Sequence, residues 1–308
     1  MKTDYHYLFG PVPSRRLGRS LGIDVTPMKT CSFDCVFCQC GCTTRRITER
    51  AEFVPFDDVC KELEQWLVKD GEADAITFAG SGEPTLYSRL GELIAFIKDK
   101  TEIPIIVLSN GTLFHRQLVR DDLLKADIVK TTLSAWDEDS FSRIHRPAEG
   151  ITFSRLLAGT RDFRKAYHGQ FWLEVFLMEG INAEPDQVKQ IAEFAKQVRP
   201  DKIHLNTAVR PPAEADVRPV SESKLCSFCH LFTPTAEIIA SFSTTSSSAN
   251  KNVHPETLTA LIRRHPATAA QLAAISGSNE ETIRNALAPL VQENRLQTEM
   301  RDGEQWYK

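Results

Sequence analysis

Cys31, Cys35 and Cys38 stand in the run Cys-Ser-Phe-Asp-Cys-Val-Phe-Cys, three thiols at CxxxCxxC spacing. Thiolates this close together are metal ligands, and three of them can hold three irons of a cubane while the fourth iron keeps an open position. A tetrahedral zinc site would use the same groups but recruit a fourth thiolate or histidine. The chain has further thiols: Cys40 and Cys42 follow at once, Cys226 and Cys229 form a CxxC pair trailed by His230, and Cys60 lies alone on an apolar helical stripe as a core residue. If loops after the first and last strands share one rim, then Cys40, Cys42, Cys226 and Cys229 make a complete set for a second cluster or a structural zinc.

The elements that must position these groups are legible from about residue 21 to 208. Apolar β-type runs at 21–25, 74–79, 104–109, 127–133, 171–178 and 202–206 alternate with helical stretches, the pattern of βα units on a parallel sheet. Val59, Cys60, Leu63, Trp66 and Leu67 recur at helical spacing, as do Leu90, Leu93, Ile94 and Ile97, and then Val188, Ile191, Ala192, Ala195 and Val198. Near-continuous apolar strands such as IIVL imply a sheet covered on both sides or closed into a barrel, with every strand's C-terminal end at one rim. Chemistry belongs at that rim. Lys130 and Ser134, four positions apart on the fourth strand, are expected on one face, the barrel interior. Glu174, a carboxylate in an apolar run, must face a cavity or cap a positive partner.

After Pro212 the rhythm stops. Residues 216–240 read as a Cys-containing extension of the core, 241–253 as a Ser/Thr-rich linker, and 254–308 as a winged-helix-like domain: helices at 255–265, 268–276 and 279–294, then a hairpin of 295–298 with 305–307. Pro289 should kink the third helix. The 308 residues carry a net charge of −4, with 42% hydrophobic and 25% charged residues, which excludes a disordered chain and a strongly basic nucleic-acid binder. The opening MKTDYHYLFGPVPSRR lacks the apolar core of a signal peptide, and no run is long enough to span a membrane, so a cytoplasmic protein is expected. In a reducing compartment clustered cysteines serve metals or catalysis rather than disulfides.

With CxxxCxxC after the first strand and Gly80-Ser81-Gly82-Glu83-Pro84 after the second, residues 8–215 closely resemble the radical S-adenosylmethionine (SAM) superfamily. The resemblance implies an α/β fold, a partial (β/α)6 barrel, here with a small C-terminal winged-helix-like domain. It also implies a [4Fe–4S] cluster on Cys31, Cys35 and Cys38. The open iron binds SAM and cleaves it reductively to a 5′-deoxyadenosyl radical, which takes hydrogen from a substrate. By the same resemblance Phe37 lies beside the adenine and the backbone of residues 80–84 receives the SAM amino group. Ser109, Asn110, Lys130 and Ser134 contact its ribose, carboxylate or sulfonium. The electron comes from an external donor of flavodoxin or ferredoxin type.

The run FGPVPSRRLGRSLG at 9–22, the SGEPT element and NTAVRPP at 206–212 are similar to a subfamily grouped with the wyosine-base synthases, which remodel a guanine in tRNA. A tRNA base or a small molecule is the substrate this implies. The chain has no lysine-bearing second cysteine motif that would tie it to wyosine chemistry itself. Arg15, Arg16 and Arg19 on a Pro/Gly-framed loop, Arg210 between strand end and prolines, Glu174 and Asn206 are the substrate-binding candidates. A different class of function, an iron–sulfur redox sensor binding DNA through the C-terminal domain, meets an adverse charge balance. Residues 254–308 hold six Arg/Lys against seven Asp/Glu, and the recognition helix would open with Glu280 and Glu281 and offer only Arg284 to a base.

Overall fold

The computed structural model describes residues 5–14, 17–240, 255–264, 266–276, 278–301 and 303–308. Arg15, Arg16 and the expected linker at 241–253 lie outside the described residues. The chain opens with β1 (Leu8–Ser14), β2 (Gly18–Ile23), β3 (Thr30–Cys31), β4 (Arg45–Arg46) and α1 (Phe56–Lys69). The βα units continue with β5 (Ala75–Phe78), α2 (Leu90–Lys100), β6 (Ile105–Leu108), α3 (Gln117–Leu123), β7 (Ile128–Thr132), α4 (Glu138–His145) and α5 (Phe153–Ala166). Then come β8 (Gln170–Glu179), α6 (Pro185–Val198), β9 (Lys202–Thr207), β10 (Arg218–Pro219), α7 (Glu222–Phe228) and β11 (Glu237–Ile238).

All six strands expected from apolar runs are present as β2, β5, β6, β7, β8 and β9, and neighbours pair in parallel in that order. Parallel pairing forces each connection to cross over the sheet, and the helices that do so cover it. β5 and β6 are therefore buried on both faces over most of their length. The sheet is flanked by β1, antiparallel to β2, and by β11, parallel to β9, so it is mostly parallel and of the partial-barrel type.

β1 is an element that apolar periodicity did not show. Its two prolines are tolerated because it is an edge strand, where a missing N–H breaks no ladder on the outer side. The Phe9 ring lies where Gly22 has no side chain: a Cβ on Gly22 would come within 2.0 Å of Phe9 Cζ. The FGPVPS…GRSLG run is thus a hairpin whose glycine admits an aromatic ring.

α8 (Pro255–Arg264), β12 (Ala267–Thr268), α9 (Ala269–Ser276), α10 (Glu280–Gln292), β13 (Thr298–Arg301) and β14 (Glu304–Tyr307) complete the chain. They bury their own apolar cluster, including Leu258, Ile262, Leu272, Ile283, Leu287 and Tyr307, and form a three-stranded sheet in the order β12-β14-β13. The hairpin starts at Thr298 rather than 295. The reason is that the N–H groups of Arg295 and Leu296 still bond the Leu290 carbonyl, with Asn294 left-handed at φ 56°, so 294–296 is the exit of the helix. α10 runs on through Pro289 to Gln292. Among the described residues no helix is long and apolar enough to cross a membrane.

Candidate functional site

The cysteine loop leaves β2 at the C-terminal rim and is closed on itself. β3 pairs with β4, setting Cys31 against Arg46, and Thr43 donates from its N–H to Asp34 (2.6 Å) and from its hydroxyl to the Phe33 carbonyl (2.7 Å). A second clamp comes from the end of α4. The Ala148 N–H bonds the Ser32 carbonyl (2.8 Å), Asp34 N–H the His145 carbonyl (2.9 Å) and Val36 N–H the Ile144 carbonyl (3.0 Å). The chain can turn there because Arg146 is left-handed, and its guanidinium reaches Glu214 and Asp34.

Within this frame the thiols have few but definite partners. Cys31 Sγ accepts from Phe33 N–H and Asn110 Nδ2, each at 3.4 Å, Cys35 Sγ lies 3.2 Å from His145 Nδ1, and Cys40 Sγ donates to the Gly80 carbonyl at 3.7 Å. Burial, and then Glu83, pushes the Cys31 thiol up to about 12. Burial, and then Cys31 and Cys38, holds Cys35 well above the usual range, while a hydrogen bond with Cys40 brings Cys38 down to about 7. Buried thiols that resist ionising by themselves suit a cationic metal centre, which deprotonates its thiol ligands outright. Among the described residues no three His, Cys, Asp or Glu side chains converge to hold a single metal ion. A cubane asks for a different arrangement, one thiolate on each of three irons.

Beside the loop stands the strand-end element at 80–84. Gly80 has φ 158°, and a Cβ on it would fall 2.2 Å from Asp24 Cγ; one on Gly82 would fall 2.2 Å from the Thr30 carbonyl oxygen. Asp24, at the end of β2, accepts from the Ser81 N–H (3.2 Å) and hydroxyl (2.9 Å). Sequence reasoning missed this residue, although an acid directly after a buried strand was the available signal. The Glu83 side chain is a brace: Oε1 accepts from Thr85 N–H, Thr85 hydroxyl and Ser109 hydroxyl, and Oε2 from Asn110 N–H at 2.7 Å. Burial raises its carboxyl above the usual range against the pull of those donors. Pro84 opens a 3-10 turn, Pro84–Leu86. Glycines and a shared carboxylate thus hold the ends of β5 and β6 against Cys31 and Thr30.

Farther round the rim, Lys130 on β7 and Glu174 on β8 form an ion pair with side chains only 10% and 12% exposed, and Asn206 on β9 donates to Glu174 at 3.2 Å. Glu174 therefore caps a positive partner. Phe37 stacks on Phe176, centroids 4.3 Å apart and planes 12° from parallel. Arg210 Nη1 donates to Gln39 at 3.3 Å, which ties the chain after β9 to the residue following Cys38.

Three sets of expected site residues have other surroundings. Ser134 lies two residues past the end of β7; fully buried, its hydroxyl accepts from Phe176 N–H (2.9 Å) and so braces β8. Arg19 sits at the N-terminal end of β2, bonded to Glu72 and Asp74, at the opposite end of the sheet from the cysteines. The four extra thiols are not brought together: Cys229 Sγ meets the Leu225 carbonyl at 3.5 Å, Cys226 is exposed on α7, Cys42 is exposed, and Cys40 turns to Gly80.

The sequence profile of the Radical SAM superfamily matches residues 25–195. The chain is 35% identical over 299 residues to a protein named GTPase Obg from Brachyspira hyodysenteriae, covering 96% of this chain and 44% of that protein. It is 38% identical over 213 residues to a UPF0026 protein from Methanocaldococcus jannaschii, covering 68% and 66% respectively. The chain thus spans less than half the length of the first relative and about two thirds of the second. Among solved structures, TYW1 with a lysine-pyruvate adduct bound shares the fold at a TM-score of 0.53 and 19% identity, covering 71% of this chain and 74% of that one.

Proposed function

We propose that this chain, which belongs to the radical SAM superfamily, is an iron–sulfur enzyme using a [4Fe–4S] cluster and SAM, and that Cys31, Cys35 and Cys38 hold that cluster. Bound together, cluster and SAM supply a 5′-deoxyadenosyl radical once an external reductant has delivered one electron. The observation that carries the residue assignment is the placing of three thiols on one doubly clamped loop at the strand-end rim, against a glycine backbone with no room for a Cβ.

In this reading Gly80 and Gly82 let the backbone of the strand end approach the SAM amino group, because a side chain there would already collide with the protein. Phe37 offers an aromatic face to the adenine. Ser109 and Asn110 hold the neighbouring loop, and Asn110 also donates to Cys31. Lys130, assigned to SAM by the resemblance, pairs with Glu174; Glu174 and Asn206 form the polar part of the interior that a substrate meets, with Arg210 at its edge as an anion partner. Anaerobic reconstitution with iron and sulfide, followed by dithionite and SAM, should give 5′-deoxyadenosine. A fully clustered sample that makes none refutes the reading.

For the substrate, the motif resemblance favours a tRNA base over a small metabolite, and a reductant of flavodoxin or ferredoxin type fits the need for a single low-potential electron. Comparing RNA modifications and metabolites in a deletion strain and its parent discriminates these substrates. The winged-helix-like C-terminal unit is best taken as a docking or substrate-presenting module. Arg284 is engaged by Glu280 on its own helix, which argues against a DNA sensor. The name of the Brachyspira relative does not transfer a GTPase activity: these 308 residues contain no Gly-Lys pair, hence no phosphate loop of the G-x-x-x-x-G-K-S/T type.

A further inference from the structure

His145, the last residue of α4, meets Cys35 across 110 residues of sequence, Nδ1 to Sγ at 3.2 Å. The meeting is set by backbone, since the three bonds between 32–36 and 144–148 fix both chains. The ring is 1% exposed. Phe33 stacks on it at 4.7 Å between centroids, and Phe141 and Phe37 pack at 5.5 and 5.6 Å. A phenylalanine would suit such an aromatic box, whereas an imidazole brings a polar edge whose burial is costly unless it is hydrogen-bonded. Among the described residues the side-chain hydrogen bond of His145 is the one to Cys35.

An iron-bound thiolate carries no proton, so with a cluster in place only an Nδ1–H can make this contact, as donor. Hydrogen bonds to cluster sulfurs draw negative charge away from iron and make the cluster easier to reduce. Resting on the assignment of Cys35 as a cluster ligand, we propose that His145 is a positioning residue whose Nδ1–H donates to the Cys35 thiolate and raises the reduction potential seen by the external donor. No bond or proton is transferred by the imidazole. A cluster held by these cysteines would accept one electron from the donor whatever stands at 145, and only its potential would change.

The test is a redox titration of the reconstituted full-length protein, followed by electron paramagnetic resonance, in the parent, His145→Phe, His145→Asn and His145→Gln. Asn can place an amide N–H where Nδ1 was; Gln reaches instead toward the position of Nε2. With equal iron per chain, His145→Phe should lower the reduced-to-oxidised ratio at a given potential by about tenfold, about 59 mV more negative for a one-electron couple, with Gln following Phe and Asn staying near the parent. A parent-like potential in His145→Phe overturns the inference, and so does an equal shift in Asn and Phe, which would mark a packing effect. If His145→Phe takes up no cluster, Asn against Gln decides in the same way. Cys35→Ala measured alongside separates the two readings. Full iron and an unchanged spectrum there overturn the ligand assignment and this inference together, whereas lost iron there with a parent-like potential in His145→Phe overturns this inference alone.

Discussion

Cys35-Val-Phe-Cys38 and Cys226-Ser-Phe-Cys229 have the same spacing and almost the same filling, yet the fold treats them oppositely. The first pair sits on a loop held by β4 on one side and by 144–148 on the other, with His145 brought to Cys35 and a third thiol, Cys31, on the same loop accepting from Asn110. The second runs off the end of α7, where Cys226 points to solvent and Cys229 bonds back to the carbonyl four residues earlier, as a small side chain on a helix does. Two thiols at CxxC spacing are therefore not yet a site. What makes one is a third ligand and a set of donors delivered from elsewhere in the chain.

The comparison predicts a graded response. Cys31→Ala, Cys35→Ala or Cys38→Ala should each abolish the SAM-binding cluster, so iron content and SAM cleavage fall together to background; any one of them cleaving at the parent rate breaks the contrast outright. Gly82→Ala leaves every ligand in place but forces a methyl against the Thr30 carbonyl, a backbone atom that has to move. It should cost about 1–3 kcal/mol of stability and weaken SAM binding at least severalfold in a sample that still takes up iron, as read by thermal unfolding and SAM titration.

Glu83→Gln is gentler in shape. Because both carboxylate oxygens accept hydrogen bonds, the introduced NH2 must face a donor in either orientation, and about 1–3 kcal/mol of stability should be lost. An unchanged melting temperature would show that the brace is not needed. The smallest effect is expected from Cys226→Ser with Cys229→Ser: iron, zinc and SAM cleavage unchanged, and stability altered by less than about 1 kcal/mol. Loss of one zinc or of one cluster's iron in that double variant would restore the second metal site and remove the difference between the two pairs.

Much of the scaffold was written locally. Each of the six parallel strands announces itself as a mainly apolar run, because a strand covered on both faces has few polar positions to interrupt it, and β5 and β6 have almost none. β1 escaped notice because Phe9, Pro11 and Pro13 belong to an edge, where one-sided pairing replaces periodicity. The surroundings of Ser134 and Arg19 were not legible for a related reason: spacing tells which face of a regular strand a residue takes, but neither where that strand stops nor what stands at each of its ends.

By itself the sequence determined that three thiols at CxxxCxxC would follow the first strand and a glycine element the second, since both depend only on neighbours in the chain. Tertiary structure alone decided that Glu83 joins β5 to β6, that Lys130 meets Glu174 and that His145 reaches Cys35. These partners lie 26 to 110 residues apart, and their meeting is set by strand order, register and a helix ending in the right place. A local pattern encodes only what lies within one or two turns or strand repeats, so such contacts exist nowhere in the sequence until the sheet has formed.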